Sequence, residues 1–130
     1  MKTSKFQFIN PYLEEVYFEA NPNFVAGVDD GEIEIQNSFH IQIKRSENEN
    51  RANVELILET NTENEKTPFI LRIKVASDFK WEDLDEKSVE SMLNLNAPAL
   101  LLGYMRPIVA NITNSSNFPV YNLPFVNFKE

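Results

Sequence analysis

The side chains of this sequence that could carry acid–base chemistry have a simpler structural explanation. His40, the only histidine, falls on the polar side of an alternating stretch, where we expect it to be solvated or to pair with a neighbouring carboxylate. A general base needs a hydrogen-bonding partner and a cleft, and the sequence displays neither beside His40. We therefore predict no catalytic residue and a protein that is not an enzyme.

Two acidic clusters have oxygen atoms that a metal ion could use. Residues 29–32, Asp-Asp-Gly-Glu, lack the pattern of a calcium-binding loop, and their glycine favours a plain turn. Residues 82–86 precede a predicted helix, whose N-terminal dipole favours negative charge, and Asp85 is the expected cap. With three glycines and no cysteine, neither a phosphate-cradling loop nor a thiolate site can be assembled. We predict no metal and no cofactor.

Hydrophobic periodicity predicts three β-strands, and His40 lies on the first of them. Apolar and polar residues alternate over 33–44, and the alternation returns over 52–59 and 69–75. Polar segments at 46–50 and 61–66 favour turns, so the three strands are expected to be antiparallel neighbours.

A fourth strand and two helices complete the predicted fold. The β-prone segment 12–18 precedes a crossover loop over 20–31. After the strands, a short helix starts at Asp85 and is expected to break at 94–96, and Pro98 suits the first turn of a second helix.

Pro107 has no N–H to donate to the Gly103 carbonyl. We therefore expect the second helix either to kink at this point or to begin its last turns early. An apolar stripe on this helix is expected to face the sheet: Leu100, Leu101, Tyr104, Met105, Ile108, Val109 and Ile112. These patterns together predict an α+β fold over residues 1–130, a single domain in which a four-stranded antiparallel sheet has C-terminal helices packed on one face.

Composition narrows the function classes. The net charge of −8 repels nucleic acid and anionic lipid and suits basic or unfolded polypeptide partners. The N-terminal residues have no apolar run of the length that a signal peptide needs, and we expect a cytoplasmic protein.

The C-terminal segment is the most unusual part of the chain. No charged residue lies between Arg106 and Lys129, and aromatic residues are frequent there. Three prolines and several asparagines lie in this segment and do not suit the interior of a bilayer, so we do not expect the segment to span a membrane. Its aromatic side chains either fold back to finish the core or line a groove for apolar segments of other proteins.

The same segment carries a family resemblance. The chain resembles SecB, the bacterial export chaperone, and looks like the short SecB-like proteins of low-GC Gram-positive bacteria. Near the start, the run from Phe18 to Asn23 is similar to the end of the family's first strand. Towards the C-terminus, the matching positions are Pro98, Leu101, Tyr104, Arg106, Phe118-Pro119, Asn122-Leu123 and Val126-Asn127-Phe128.

This resemblance implies a homo-oligomer, a dimer or tetramer built on the first strand and the long helix. It also implies grooves that hold extended, non-native chains, formed in part by the crossover loop, and an acidic sheet surface that docks a translocase motor. In the family a further helix and an acidic tail follow the position of Phe128, so we expect a groove with one wall missing. The polypeptide-binding residues predicted here are Phe18, Pro22, Phe24, Tyr104, Phe118, Tyr121, Phe125 and Phe128.

Two functions from different classes follow. The first is a SecB-like polypeptide-binding protein that acts as a holdase for unfolded or nascent proteins. The alternative is an oligomeric scaffold or regulator that binds one specific folded protein. Neither involves nucleic acid or insertion into a membrane.

Overall fold

In the computed structural model, which describes residues 2–22, 24, 35–60 and 67–128, one antiparallel sheet forms the framework. Its strands lie in the order β1-β4-β3-β2, so the edge strands are β1 and β2. The α+β class and the four antiparallel strands are confirmed. Most of the predicted crossover loop, the start of the predicted second strand and the polar segment 61–66 fall outside the described residues. The strand bounds are β1 (Phe6–Ala20), β2 (Asn37–Arg45), β3 (Arg51–Thr60) and β4 (Phe69–Trp81).

Both long strands extend further than the alternation predicted. In β1 the pattern is broken by Asn10, whose φ is 48°, and by Pro11, where the register to β4 shifts. A bulge of this kind adds a residue to one strand without ending it, which hides the strand from a period-two search. In β4, the strand continues beyond Val75 through buried Phe79 to Trp81, which is 7% exposed.

The core lies between one face of β3 and β4 and the C-terminal helices. Alternate residues of both strands point into it, and none of those that follow is more than 3% exposed. They are Ala52, Val54, Leu56 and Leu58 from β3 and Phe69, Leu71, Ile73, Val75 and Phe79 from β4.

The helical layer is α1 (Glu86–Ser91), a π-helical turn (Met92–Asn96) and α2 (Ala97–Asn114). Asp85 caps α1 as predicted, because its Oδ1 accepts a hydrogen bond of 2.8 Å from the Ser88 N–H. The predicted break at 94–96 is wrong, since the helical path widens there and continues. The Asn94 side-chain amide donates to the Glu90 carbonyl at 2.7 Å and so satisfies a carbonyl in this wider turn.

Helix α2 runs through Pro107, so the predicted early start to its last turns is wrong. Proline cannot donate to the Gly103 carbonyl, but Gly103 and Pro107 both lie on the exposed side of the helix, where water can satisfy that carbonyl. The buried side differs from the predicted stripe at Leu102, which is 4% exposed, and at Tyr104, which is 37% exposed. No helix among the described residues is long and apolar enough to cross a membrane.

Candidate functional site

The segment 117–128 returns across the core as an extended chain without helix or strand; we call it the tail. Between described residues, one main-chain hydrogen bond ties the tail to α2, where the Tyr121 N–H donates to Thr113 Oγ1 at 2.8 Å. The Asn37 side-chain amide, at the start of β2, lies 2.5 Å from the Tyr121 hydroxyl and donates to it. Leu123 is 1% exposed and belongs to the core. Side chains therefore fix the path of the tail.

An aromatic cluster forms where the tail passes the start of β4. Phe69, which is 1% exposed, has the rings of Phe18, Phe118 and Tyr121 at centroid distances of 5.5, 6.2 and 6.1 Å. Phe24 meets the edge of Phe118 at 5.7 Å, with the ring planes nearly perpendicular. These separations are those of attractive aromatic pairs, so strand, crossover and tail are joined by ring contacts.

An open cleft lies beside this cluster. Its volume is about 330 Å³, at the lower end of the range for ligand pockets. Val120, which is 43% exposed, is one of its walls. None of the described residues that line the cleft has a charged side chain, so this lining can contact one or two large apolar side chains but offers no acid or base. It is lined by Ile35, Pro68, Phe69, Phe118, Pro119, Val120 and Tyr121.

The structure brings four of the eight predicted binding residues together and leaves the others apart. Phe18, Phe24, Phe118 and Tyr121 belong to the aromatic cluster, and the last two line the cleft. The remaining four do not line it. Pro22 is exposed, and Tyr104 lies on α2 with 37% of its surface exposed. Phe125 is 89% exposed, and the Arg106 guanidinium lies 4.6 Å from the centroid of its ring. Phe128 packs on Phe39.

Sequence reasoning missed Phe69, the residue at the centre of the cluster. The alternation over 69–75 places Phe69 on a strand face, as the structure confirms, but alternation alone does not indicate that three aromatic rings converge on this residue. Pro119 and Val120 lie in the charge-free segment already singled out, and their position next to Phe118 was the available signal.

The two readings of the tail each hold for part of it. Leu123 completes the core, as the first reading expected of the aromatic residues. Phe118 and Tyr121 are half-buried and form a wall of the cleft, as the second reading expected. Phe125 does neither and stands in solvent.

A second cavity, of about 400 Å³, lies where β1 begins and β4 ends. Lys5, Lys80 and Glu82 are among its lining residues, so charged groups surround it. An apolar segment would have to displace water from these charges, which makes this cavity a poorer site for such a ligand than the cleft.

The sheet face opposite the helices carries charges of both signs. Arg72 lies 2.6 Å from Glu15 and 2.7 Å from Glu59, and the hydrogen bond with Glu15 is the main cause that raises the pKa of Arg72. His40 lies 3.8 Å from Glu59, which confirms its predicted pairing with a carboxylate. Glu55, on the same face, is 8% exposed between Ala76 and Gln42. The carboxylates of this face are thus partly neutralised.

Metal chemistry finds no support in the part of the chain that the structure describes. No group of three or more histidine, cysteine, aspartate or glutamate side chains there is arranged to hold an ion. The acidic run 29–32 lies outside the described residues. At residues 82–86 the carboxylates serve the helix instead, because Asp85 caps α1 and Glu86 pairs with Arg45 at 2.6 Å.

The sheet with its helical layer and the cleft, whose described lining residues are uncharged, fit a polypeptide-binding protein of the chaperone class. The chain belongs to the SecB family, since the family model described as preprotein translocase subunit SecB matches residues 1–130. The resemblance seen in the sequence is confirmed, and proteins of this family are chaperones, not enzymes. Membership of the family does not favour the alternative of a scaffold for one folded partner.

Curated relatives carry the same name. The protein-export protein SecB of Anaplasma phagocytophilum is 32% identical over 133 residues, which cover 90% of this chain and 84% of the relative. That of Xanthomonas euvesicatoria is 28% identical over 120 residues, covering 91% of this chain and 69% of the relative.

Two solved structures share the fold. A SecB-like chaperone of Mycobacterium tuberculosis, solved in complex with a ChAD peptide from the HigA1 antitoxin, has a TM-score of 0.74 at 13% identity, covering 94% of this chain and 91% of that one. A Streptococcus agalactiae protein described as of unknown function has a TM-score of 0.51 at 12% identity, with coverage of 95% and 100%.

Proposed function

We propose that this protein holds non-native polypeptides through their apolar segments, and that the cleft beside Phe69 is the principal contact. The observation that carries the proposal is a surface cleft of about 330 Å³ whose described lining residues are all uncharged. Aromatic and proline side chains make most of this lining, so it can receive apolar side chains of many shapes without a specific polar partner. Membership of the SecB family supports the same activity.

One cleft of this size gives only weak binding. Burying one leucine or phenylalanine side chain contributes about 1.5–3 kcal/mol, whereas a millimolar dissociation constant already corresponds to about 4 kcal/mol. A client must therefore make further contacts along its length. We assign these contacts to the other predicted residues, all of which are exposed or half-buried: Phe18, Pro22, Phe24, Tyr104, Phe125 and Phe128.

A second copy of the chain would multiply such contacts, and β1 offers a surface for it. Phe8, Leu13 and Val16 are 47%, 42% and 46% exposed. Their partners on β4 are Phe79, Val75 and Ile73, all core residues, so these apolar side chains lie on the helix side of the sheet beside α2. Exposed apolar surface of this kind marks an interface. We infer a dimer or tetramer built on β1 and α2, in which linked clefts raise the affinity for a long chain.

Light scattering tests the oligomer, and a strict monomer at micromolar concentration would contradict it.

The relatives named as protein-export proteins support a place of action in the cytoplasm, where a precursor is still unfolded.

Suppression of aggregation tests the function. The protein is added in excess to a chemically unfolded model protein that is diluted from denaturant, and turbidity is followed. We expect the wild type to delay aggregation, and Val120→Asp to lower its effectiveness at least about fivefold, because a carboxylate in the cleft must be desolvated when an apolar side chain binds. Asn122→Asp is the matched control, since it adds the same charge at an exposed residue of the tail that belongs neither to the lining of the cleft nor to the predicted client contacts.

The outcomes separate two claims. A wild type that neither delays aggregation nor binds the unfolded chain would overturn the proposed function. A wild type that is active, together with a Val120→Asp variant that is equally active, would overturn the assignment of the cleft.

A further inference from the structure

Four of the seven described residues that line the cleft belong to one short span of the tail. This span, residues 118–121, lies between the end of α2 and the buried Leu123, and we call it the wall. At its start the Phe118 N–H donates to Ser116 Oγ at 3.0 Å, and beyond its end Leu123 is held in the core. The wall belongs to no helix or strand, so it can move between these two anchored points, and its position sets the width of the cleft.

The wall covers the ring of Phe69. Although Phe69 lines the cleft, it is only 1% exposed, because the rings of Phe118 and Tyr121 lie against it at centroid distances of 6.2 and 6.1 Å. In this closed form a ligand reaches little of the Phe69 ring. An outward movement of the wall would expose an aromatic surface on which a large apolar side chain can pack.

Two hydrogen bonds of Tyr121 fasten the wall, and we call them the latch. The Tyr121 N–H donates to Thr113 Oγ1 at 2.8 Å, and the Tyr121 hydroxyl accepts from the side-chain amide of Asn37. Thr113 lies in α2 and Asn37 begins β2, so the latch ties the wall to both layers of the fold. Among the described strands, none pairs with the wall. The latch therefore takes the place of the ladder hydrogen bonds that would hold a strand.

The closed latch carries a cost at Asn37. The oxygen of the same amide, Asn37 Oδ1, is buried and has no hydrogen-bond partner. A buried acceptor without a donor has lost its hydration and gained no bond in return. Movement of the wall lets water reach this amide, and the cost then disappears. The closed form is thus held less firmly than its two hydrogen bonds alone would hold it, which leaves an open form that a ligand can select.

We propose that the latch determines which side chains the cleft accepts, and that a client with large apolar side chains such as phenylalanine binds the form in which the wall has moved away from Phe69. This inference rests on the proposed function. A small side chain such as valine is accepted by the closed cleft. Asn37, Thr113 and Tyr121 are therefore specificity-determining residues. The apparent affinity for a large side chain is that of the open form multiplied by the fraction of molecules that are open.

Tyr121→Phe tests the proposal, because it removes the hydroxyl and keeps the ring. In the closed form the Asn37 amide loses its partner, whereas in the open form water takes the place of the hydroxyl, so only the closed form is destabilised. The probe is a labelled peptide of about twenty residues, rich in lysine and serine, that contains several phenylalanines; in its twin, valine replaces each phenylalanine. By anisotropy, we expect Tyr121→Phe to bind the phenylalanine peptide at least about fivefold more tightly and the valine peptide less than about twofold more tightly.

Two further variants complete this experiment. Tyr17→Phe is the matched control, since it removes a hydroxyl that donates to Glu19 at 3.2 Å from a tyrosine that is 50% exposed on the sheet face opposite the helices. It should change either affinity by less than about twofold. Thr113→Val removes the acceptor of the Tyr121 N–H with little change in shape. Because it weakens the latch from the side of α2, it should tighten binding of the phenylalanine peptide at least about threefold.

Amide hydrogen exchange of the Tyr121 N–H gives a readout that needs no ligand. This N–H is released whenever the wall moves, whereas the paired amides of β3, which has a strand on each side, are released only by a larger opening. We expect the Tyr121 amide of the wild type to exchange at least about tenfold faster than the paired amides of β3. In Tyr121→Phe, residue 121 should exchange faster still, by about the factor that the affinity gains.

The outcomes separate the latch from the proposed function. If the wild type binds the peptides but Tyr121→Phe binds the phenylalanine peptide equally or more weakly, or gains as much for the valine peptide, the latch is wrong and the proposed function stands. A Tyr121 amide that exchanges as slowly as the paired amides of β3 would also contradict the latch. If neither the peptides nor unfolded model proteins bind the wild type, the proposed function fails and the inference with it. Should Tyr121→Phe fail to fold, as judged by circular dichroism, Thr113→Val and the exchange of the wild type decide.

Discussion

Leu123 is the residue by which the tail is held in the core, and its truncation to alanine should destabilise the protein strongly. The side chain is 1% exposed and sits among the core residues. Burial of a leucine contributes about 1.5–3 kcal/mol, and the cavity that truncation leaves behind adds to this, so leucine-to-alanine changes in cores cost about 2–5 kcal/mol. We expect Leu123→Ala to lower the free energy of unfolding by an amount in that range.

Urea denaturation followed by the fluorescence of Trp81 measures this cost, because Trp81 is the only tryptophan and is 7% exposed. With a urea slope of about 1–3 kcal/mol per molar, the midpoint should fall by at least about 0.7 M at constant protein concentration. Phe125→Ala is the control, since Phe125 lies in the same tail but is 89% exposed, and it should change stability by less than about 0.5 kcal/mol. Equal and small effects of both variants would refute the view that the tail completes the core.

Three further predictions concern polar contacts. Tyr121→Phe leaves the Asn37 amide without its partner, next to an Asn37 Oδ1 that is already buried without one, and should cost about 1–3 kcal/mol in urea denaturation. Arg72→Met removes two exposed ion pairs and should cost less than about 1 kcal/mol in the same assay; a larger loss would mean that the charged sheet face holds the fold together. Asp85→Ala should lower the melting temperature at pH 7, because hydrogen bonds with Ser88 lower the pKa of Asp85 below its ordinary value of 3.8 and so stabilise the folded state above that value. This difference from the wild type should vanish as the pH falls through the lowered pKa, and a difference that stays constant in acid would contradict the capping role.

The sheet could be predicted from sequence because three of its strands keep an uninterrupted alternation. Leu56 and Leu58 in β3 point to one face as the period required, and so do Leu71 and Ile73 in β4. The full length of β1 could not be found this way, because two register shifts, after Ile9 and after Leu13, each displace the later side chains by one position.

The helical layer was predicted less well where tertiary packing decides the outcome. Tyr104 fits the predicted apolar stripe and Leu102 lies outside it, yet Leu102 is buried and Tyr104 remains exposed, because the position of α2 over β3 and β4 selects the buried side. The asparagines at 94 and 96 indicated a break, whereas the side chain of Asn94 bonds the Glu90 carbonyl within a wider turn.

Only part of the candidate site could be predicted from the sequence. Phe118 and Tyr121 stand out because the segment around them is free of charge. Phe69 and Ile35 could not be selected, since the cleft forms only when the start of β4, the approach to β2 and the tail meet in space. Nothing in the spacing of these residues along the chain encodes that meeting.

The most direct test of the central claim compares the affinity of the wild type for one protein in two states. A fluorescently labelled model protein is kept unfolded by a destabilising substitution, and its folded parent carries the same label; anisotropy is measured as this protein is added to each. Binding of the unfolded form alone, weakened by Val120→Asp and unchanged by Asn122→Asp, is the predicted result. Absence of binding to the unfolded form, or equal binding to both forms, would contradict a protein that holds non-native chains.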